Sequence, residues 1–208
     1  MTPFTVLTAV AAPLDIAKID TGMIMPGRFN RKYRRPGHPD YAEGFLHDLR
    51  FDSDGKPRAD FVLNHPAYQG AEILVTAADF GCGSSRETAA YAVLDYGLRA
   101  LIGVSFGDIF VGNCLQNGIL VVAQPQPVVD GLWHQLGERP GATITIDLDT
   151  QTIVSPNGER HSFDIDATRK QRLLRGLDDI GVTMQYAPEL EAFENRHRKE
   201  MTWLAPII

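Results

Sequence analysis

Three short apolar segments follow one another in the middle of the chain, and they constrain its fold more than any other feature. They are residues 71–77 (AEILVTA), 100–106 (ALIGVSF) and 118–125 (GILVVAQP). Between the first two, the pattern of residues 84–96 predicts a helix with one apolar face, and Gly97 is a suitable stop for it. A strand, a helix and a second strand at this spacing predict a right-handed parallel βαβ unit.

The segments around this core predict a mixed α/β class with an antiparallel annex. A leading strand is expected over residues 4–10. Residues 141–165 alternate between apolar and polar side chains and contain Asn157-Gly158, a pair typical of a two-residue turn. This segment is therefore predicted to form a β-hairpin.

The remaining segments are less regular. Residues 30–60 show little periodicity and predict an irregular surface arm, with one short helix around 41–49. The C-terminal part, residues 168–208, predicts two helices, the second starting near Pro188. A length of 208 residues is consistent with a single domain that spans the whole chain.

The composition excludes several classes of protein. A net charge of -6 argues against a general nucleic-acid binder, and no apolar run reaches the length of a membrane span. The N-terminus has no basic region of the kind that starts a signal peptide, so a cytoplasmic protein is expected. Two cysteines, Cys82 and Cys114, are too few for a disulfide scaffold and too few to hold an iron–sulfur cluster.

The sequence DFGCGSSRE, at residues 79–87, carries the chemistry of the chain and allows several interpretations. In the first, Ser84 and Glu87 form a capping box that starts the helix. In the second, a glycine-lined turn presents free amides, two hydroxyls and the planar guanidinium of Arg86 to an anion such as a carboxylate. A nucleotide loop is not indicated, because neither phosphate-binding glycine spacing is present. A nucleophilic Cys82 would need a histidine base, and no histidine lies in or near the motif.

The combination of GCGSSRE with ALIGVSFGDIFVGNCLQNGILVV (100–122) resembles the small-subunit family of 3-isopropylmalate dehydratase. It is also similar to the C-terminal swivelling domain of aconitases. The resemblance extends to IDTGMIMP (19–26), FVLN (61–64) and GLDDIGVTMQY (176–186), and so covers most of the chain. It implies a three-layer β/β/α swivelling domain with a parallel βαβ core.

The resemblance also implies roles for residues of the motif. Ser84 matches the base that takes a proton from the carbon next to a carboxylate, while Ser85 and Arg86 match residues that bind substrate carboxylate. Asp20 and Thr21 match the retained part of a substrate-contacting motif, although they could equally order their own loop as an Asx-type turn. No cofactor is implied in this chain, because the [4Fe-4S] cluster of the family belongs to a separate large subunit.

The sequence departs from the family pattern near the motif. The family usually has N-x-D-T-D-x-I where this chain has residues 18–24, so that Lys18 and Gly22 replace an asparagine and an aspartate. Thr88 stands where histidine is common, and residues 27–32, in a segment that helps to set substrate choice, are also atypical.

Two further groups of residues have open roles. A basic cluster could be a solvated loop or could attract a dicarboxylate, with Arg28 the best candidate for contact with it. The apolar positions of the terminal helix favour core packing, with subunit contact as the second interpretation. The basic residues are Arg28, Arg31, Lys32, Arg34 and Arg35, and the apolar ones are Leu190, Phe193, Met201 and Leu204.

The sequence therefore favours the small subunit of a two-subunit hydro-lyase that isomerises 2-isopropylmalate and 3-isopropylmalate through an alkene. Its expected partners are a cluster-bearing large subunit and a small hydroxy diacid, with no nucleic acid and no membrane. Two alternatives remain. One is a related hydro-lyase for another diacid, of the citraconate/methylmalate or homoaconitate type, and the other is a non-catalytic module that binds an anion.

Overall fold

The computed structural model describes residues 1–31, 35 and 38–204. In this part of the chain, seven strands form one mixed sheet in the order β4-β3-β2-β1-β5-β6-β7. Strands β1 to β4 are parallel to one another, and β5, β6 and β7 are antiparallel to their neighbours. The strands are β1 (Val6–Leu14), β2 (Ile73–Thr76), β3 (Ala100–Gly103), β4 (Leu120–Ala123), β5 (Thr143–Asp147), β6 (Thr152–Val154) and β7 (Arg160–Ser162).

Helices cover both faces of the parallel part, and short 3-10 turns join the elements. The helices are α1 (Thr21–Ile24), α2 (His47–Arg50), α3 (Glu87–Tyr96), α4 (Asp108–Gln116), α5 (Gln126–Glu138), α6 (Ala167–Arg175), α7 (Asp179–Met184) and α8 (Ala187–Glu200). The 3-10 turns are Gly27–Arg31, Ala42–Gly44, Val62–Asn64, Pro66–Tyr68 and Thr202–Leu204. No helix of the described residues is both long enough and apolar enough to cross a membrane.

The parallel strands are buried on both faces, which explains why the sequence shows them as continuous apolar runs. Leu74 and Leu101 pack with α3 on one face, whereas Ile73, Val75 and Ile102 pack with α5 on the other. The expected βαβ unit is confirmed: β2, α3 and β3 follow in order, and β2 pairs in parallel with β3. The mixed α/β class with its antiparallel annex is confirmed as well.

The structure corrects two predictions in the annex and the irregular arm. Residues 141–165 contain the predicted hairpin, formed by β6 and β7 around Asn157-Gly158, and in addition a third antiparallel strand, β5, because a left-handed Gln151 at φ 52° turns the chain once more between β5 and β6. The arm at 30–60 is not wholly a surface feature. Phe45 and Leu46 are fully buried, and the Leu46 amide donates to the carbonyl of Ile24.

The C-terminal part differs most from expectation. It contains three helices, α6, α7 and α8, instead of two, although α8 does begin next to Pro188, as predicted. The prediction that its apolar residues pack in the core is wrong, because Leu190, Phe193 and Met201 are exposed. The side chain of Leu204 lies outside the described part of the structure.

Candidate active site

The stretch from Asp79 to Arg86, hereafter the glycine–serine turn, lies at the carboxyl ends of the parallel strands. It follows β2 and is held on both sides by the loops that follow β1 and β3. The Gly81 amide donates to the carbonyl of Ile19 (2.8 Å), and the Phe80 amide donates to the carbonyl of Ser105 (3.2 Å). Ligand sites of open parallel sheets are commonly found at this edge.

Glycine is required at Gly81 because other groups approach its backbone closely. Its φ of 74° is unfavourable for other residues, and a Cβ there would lie 2.2 Å from Cδ1 of Phe110. Gly107, in the loop after β3, approaches the turn in the same way, since its Cβ would lie 2.4 Å from the carbonyl oxygen of Gly81. The loops after β2 and β3 are therefore packed backbone against backbone.

The helix after the turn starts later than expected, and the capping-box prediction is wrong. Helix α3 begins at Glu87, with Arg86 in extended conformation at its N-cap, and no side chain caps it. The reason is a tertiary contact: Thr21 Oγ1 donates to the carbonyl of Ser84 at 2.9 Å. This bond helps to fix Ser84 against the loop that follows β1, outside the helix. The first amides of α3 therefore remain without a side-chain cap.

The three residues at the centre of the motif differ in exposure. Ser84 and Ser85 are exposed, and Arg86 is half-buried. Ser84 and Ser85 thus present their hydroxyls to solvent, next to the uncapped start of α3 and the guanidinium of Arg86. This arrangement can bind an anion and can orient a hydroxyl against it.

The loop after β1 brings Asp20 and Thr21 to the glycine–serine turn. The Thr21 amide donates to the carbonyl of Cys82 at 3.0 Å. Asp20 caps α1, because its Oδ1 accepts from the amides of Gly22 (2.7 Å) and Met23 (2.9 Å). Asp20 therefore orders its own loop, which is one of the two roles that the sequence allowed. Thr21 is buried, and its hydroxyl is engaged with Ser84.

Gly22 has a role that the sequence did not reveal. An ideal Cβ at Gly22 would lie 3.3 Å from Nη1 of Arg86 and 3.0 Å from Oδ1 of Asp20. The guanidinium of Arg86 therefore lies over Gly22, and the missing side chain leaves space beside it. The only sequence signal was that glycine stands where the family usually has aspartate.

Asp79 and Ser105 form a second contact that the sequence did not reveal. Asp79 has a left-handed φ of 61°, and its amide donates to Oγ of Ser105 at 2.8 Å. In return, Ser105 Oγ donates to Oδ1 of Asp79 at 2.9 Å. This pair fixes the start of the glycine–serine turn to the loop after β3.

Arg28 is placed elsewhere, in the 3-10 turn Gly27–Arg31. Its Nη1 donates to Oδ2 of Asp48 at 2.9 Å, and its guanidinium lies over the ring of Phe29 at 4.7 Å. The hydrogen bond from Arg28 holds the pKa of the Asp48 carboxyl below its usual range. These contacts tie Arg28 to α2, and none of its described contacts is with the glycine–serine turn.

The rest of the basic cluster is described only in part. Arg35 is paired with Asp40, and its hydrogen bonds lower the pKa of that carboxyl to about 2. Lys32, Arg34 and the side chain of Arg31 lie outside the described part of the structure. Arg28 and Arg35 are thus each neutralised by a carboxylate.

The two cysteines differ in environment. Cys114 is buried on α4, and burial raises the pKa of its thiol well above the usual value, so it is not a reactive thiolate. Cys82 is half-buried within the turn. Within residues 1–31, 35 and 38–204, no three histidine, cysteine or acidic side chains come together as a metal-binding group. The described residues therefore do not fit an iron–sulfur cluster.

Comparison with known proteins identifies the family of the chain. The aconitase C-terminal domain model matches residues 1–127, and a LeuD_N model matches 130–167. The model for the C-terminal domain of the 3-isopropylmalate dehydratase small subunit matches 179–207. A 3-isopropylmalate dehydratase small subunit of Rhodospirillum centenum is 47% identical over 203 residues, which cover 98% of either chain. The chain belongs to the 3-isopropylmalate dehydratase small-subunit family.

Other relatives agree with this assignment. The small subunit named for Jannaschia sp. is 45% identical over 204 residues, covering 98% of this chain and all of that one. A crystal structure of 3-isopropylmalate dehydratase from Methanocaldococcus jannaschii aligns with a TM-score of 0.64 and 21% identity, covering 92% of this chain and 98% of that one. The expected aconitase-type swivelling fold of the 3-isopropylmalate dehydratase small-subunit family is thereby confirmed.

Proposed function

We propose that this chain is the small subunit of a cytoplasmic, heteromeric hydro-lyase of leucine biosynthesis that interconverts 2-isopropylmalate and 3-isopropylmalate. The observation that carries the proposal is the 45–47% identity, over nearly the whole chain, to proteins named as this subunit. The geometry supports it, because the glycine–serine turn exposes two hydroxyls beside a guanidinium and an uncapped helix start.

In this proposal, Ser84 takes and returns the proton on the carbon next to a substrate carboxylate. A serine hydroxyl is a weak base at neutral pH and needs nearby positive charge to stabilise its alkoxide. The amides at the start of α3 and the guanidinium of Arg86 lie next to Ser84 in the chain and supply that charge. Thr21 positions Ser84 through the hydrogen bond to its carbonyl.

Ser85 and Arg86 bind a carboxylate of the diacid in this proposal. The planar fork of Arg86 suits a two-point contact with a carboxylate. Asp20 orders the loop beneath Arg86, and one of its oxygens is used by the cap of α1. Arg28 would serve as an outer contact for the second carboxylate only by exchanging its partner Asp48 for the substrate, and the exposure of that ion pair allows such an exchange.

We place the [4Fe-4S] cluster on a large partner subunit. Such a cluster acts as a Lewis acid for the departing hydroxyl. This chain contributes the proton transfer and the carboxylate contacts at the other end of the substrate.

A reconstitution assay tests the proposed substrate. The chain, combined with the large subunit from the same organism, is expected to turn over both isopropylmalates with kcat/KM at least about tenfold above other hydroxy diacids. That margin is the discrimination that a pocket shaped for one apolar group typically provides. Citramalate-type and homocitrate-type acids serve as the comparison.

Two outcomes would contradict this assignment. Preference for one of the comparison acids would identify a related hydro-lyase with a different substrate. Binding of diacids without turnover, in a complex whose cluster is intact, would identify a non-catalytic anion-binding module.

Gly22→Ala tests the space beside Arg86. The new Cβ would displace the guanidinium by a few tenths of an ångström, so KM for the diacid is expected to rise about tenfold. Thermal stability should fall only slightly: the Cβ also lies 3.0 Å from the Asp20 oxygen that caps α1, whereas alanine is otherwise the better helix former. Steady-state kinetics and a thermal melt measure the two effects.

The control for Gly22→Ala is Gly131→Ala in α5. A Cβ at Gly131 meets nothing within 4 Å, so the same substitution should leave KM unchanged. If Gly22→Ala also leaves KM unchanged, Arg86 does not bind the substrate in the position described.

A further inference from the structure

The C-terminal arm, defined as residues 179–204, exposes an unusual amount of apolar surface. No residue of α7 or α8 is buried, although every residue of both helices is described. Trp203 is 75% exposed and Ile180 73% exposed. The exposed large apolar residues of the arm are Ile180, Met184, Tyr186, Leu190, Phe193, Met201 and Trp203.

Helix α8 carries a short apolar stripe that is exposed to solvent. Leu190, Phe193 and His197 are spaced by three and four residues, which places them on one face, and Met201 follows at the C-cap. The rings of Phe193 and His197 stack with centroids 5.5 Å apart along this face. A 14-residue helix is only marginally stable alone in water, so this stripe needs a covering surface.

The arm starts beside the candidate active site. A cavity of about 320 Å³ is lined by Glu87, which directly follows Arg86, and by Asp179 and Ile180 at the start of α7. Nε2 of Gln116 donates to Oδ2 of Asp179 at 2.7 Å, and Arg172 forms an ion pair with the same carboxylate. The base of the arm is therefore fixed to α4 and α6, next to Glu87.

We propose that the C-terminal arm is the docking surface for the large, cluster-bearing subunit. This inference rests on the proposed function, in which the glycine–serine turn faces that subunit across the substrate. The start of the arm lies beside the turn, because Ile180 and Glu87 line one cavity, and the exposed apolar residues of the arm follow along the chain.

The family matches support this choice of partner over a second copy. The aconitase C-terminal domain model ends at residue 127, whereas the arm matches a model that is specific to small subunits, at 179–207. When a swivelling domain is part of a longer chain, the covalent link holds it near the domain that it works with. A separate subunit has no such link and needs a binding surface instead. Two copies of this chain would in addition each carry a net charge of -6 and repel one another.

The test compares two double alanine variants of α8. Leu190→Ala/Phe193→Ala removes the centre of the stripe, and Asn195→Ala/Lys199→Ala changes the opposite face of the same helix. Alanine keeps the helix propensity high in both, and all four positions are exposed, so both variants should fold and melt like the wild type.

The measurement is the Kd for the large subunit, by titration calorimetry with full-length chains. Loss of two adjacent apolar anchors is expected to raise Kd about 30-fold or more. The opposite-face variant should stay within about twofold of the wild type. At saturating concentrations the stripe variant should recover the wild-type kcat, because the glycine–serine turn is untouched.

The outcomes separate this inference from the proposed function. An unchanged Kd in the stripe variant overturns the docking proposal. The proposal also fails if the wild-type chain forms a dimer on its own and the stripe variant does not. If the wild-type complex binds and the stripe variant loses affinity, but no hydroxy diacid is turned over, the docking surface stands and the proposed function fails.

Discussion

Ser84→Ala, reconstituted with the large subunit, is expected to lower kcat for isopropylmalate by about 10³-fold, the size of a typical general-base contribution. The hydroxyl is exposed at the end of β2, beside an uncapped helix start and Arg86, and alanine removes the proton acceptor without filling or emptying a packed space. KM and the affinity for the large subunit should change little, since the backbone contact from Thr21 to Ser84 is retained.

The matched control for Ser84→Ala is Ser85→Ala, which removes the neighbouring exposed hydroxyl. Ser85 is proposed to bind a carboxylate, so this variant should raise KM more than it lowers kcat. Steady-state kinetics over a range of substrate concentrations separate the two effects. Near-normal turnover by Ser84→Ala would refute its assignment as the base.

Arg86→Ala should lower kcat/KM by about 100-fold or more. A charge-assisted hydrogen bond contributes about 1.5–3 kcal/mol, and a two-point contact between guanidinium and carboxylate makes two of them. Arg86→Lys should fall between the alanine variant and the wild type, because lysine keeps the charge but loses the planar fork.

Two measurements make the Arg86 result specific. Arg160→Ala on β7 removes an exposed arginine of the annex and should leave kcat/KM unchanged. Monocarboxylate and dicarboxylate inhibitors should both bind Arg86→Ala more weakly than they bind the wild type. The loss should be larger for inhibitors whose carboxylates make more contacts. Equal inhibition of wild type and Arg86→Ala would show that the guanidinium binds no carboxylate.

The parallel core could be predicted from the sequence because burial on both faces leaves continuous apolar runs. The position of the first residue of α3 could not be predicted. Local sequence favoured Ser84 as the cap of the helix. Instead, the hydroxyl of Thr21, 63 residues away, donates a hydrogen bond to the carbonyl of Ser84 and helps to hold it outside the helix. A contact between residues so distant in sequence has no local signal.

The sequence could name residues for the centre of the candidate site, whose roles stay predictions, but not the contacts around them. Ser84, Ser85 and Arg86 stand in one motif, and Asp20 and Thr21 do meet it, but Gly22 matters through the absence of a side chain. Lys18 adopts a left-handed φ of 58°, a conformation in which asparagine is enriched, so the usual asparagine of the family meets a backbone requirement there.

The C-terminal arm shows why its prediction failed. An apolar stripe at helical spacing has the same pattern whether it faces its own core or another chain. The pattern of Leu190 and Phe193 alone therefore could not distinguish packing in the core from the partner contact that we propose.

The close backbone packing of Gly81 against Gly107, together with the bonds from the loop after β1, joins three loops into one stiff edge of the sheet. Such an edge leaves little freedom for local loop movement. In the function proposed above, the alignment of Ser84 with a substrate would then depend on how the small subunit sits on its partner, and exchange of substrate and product would follow movement between the two chains.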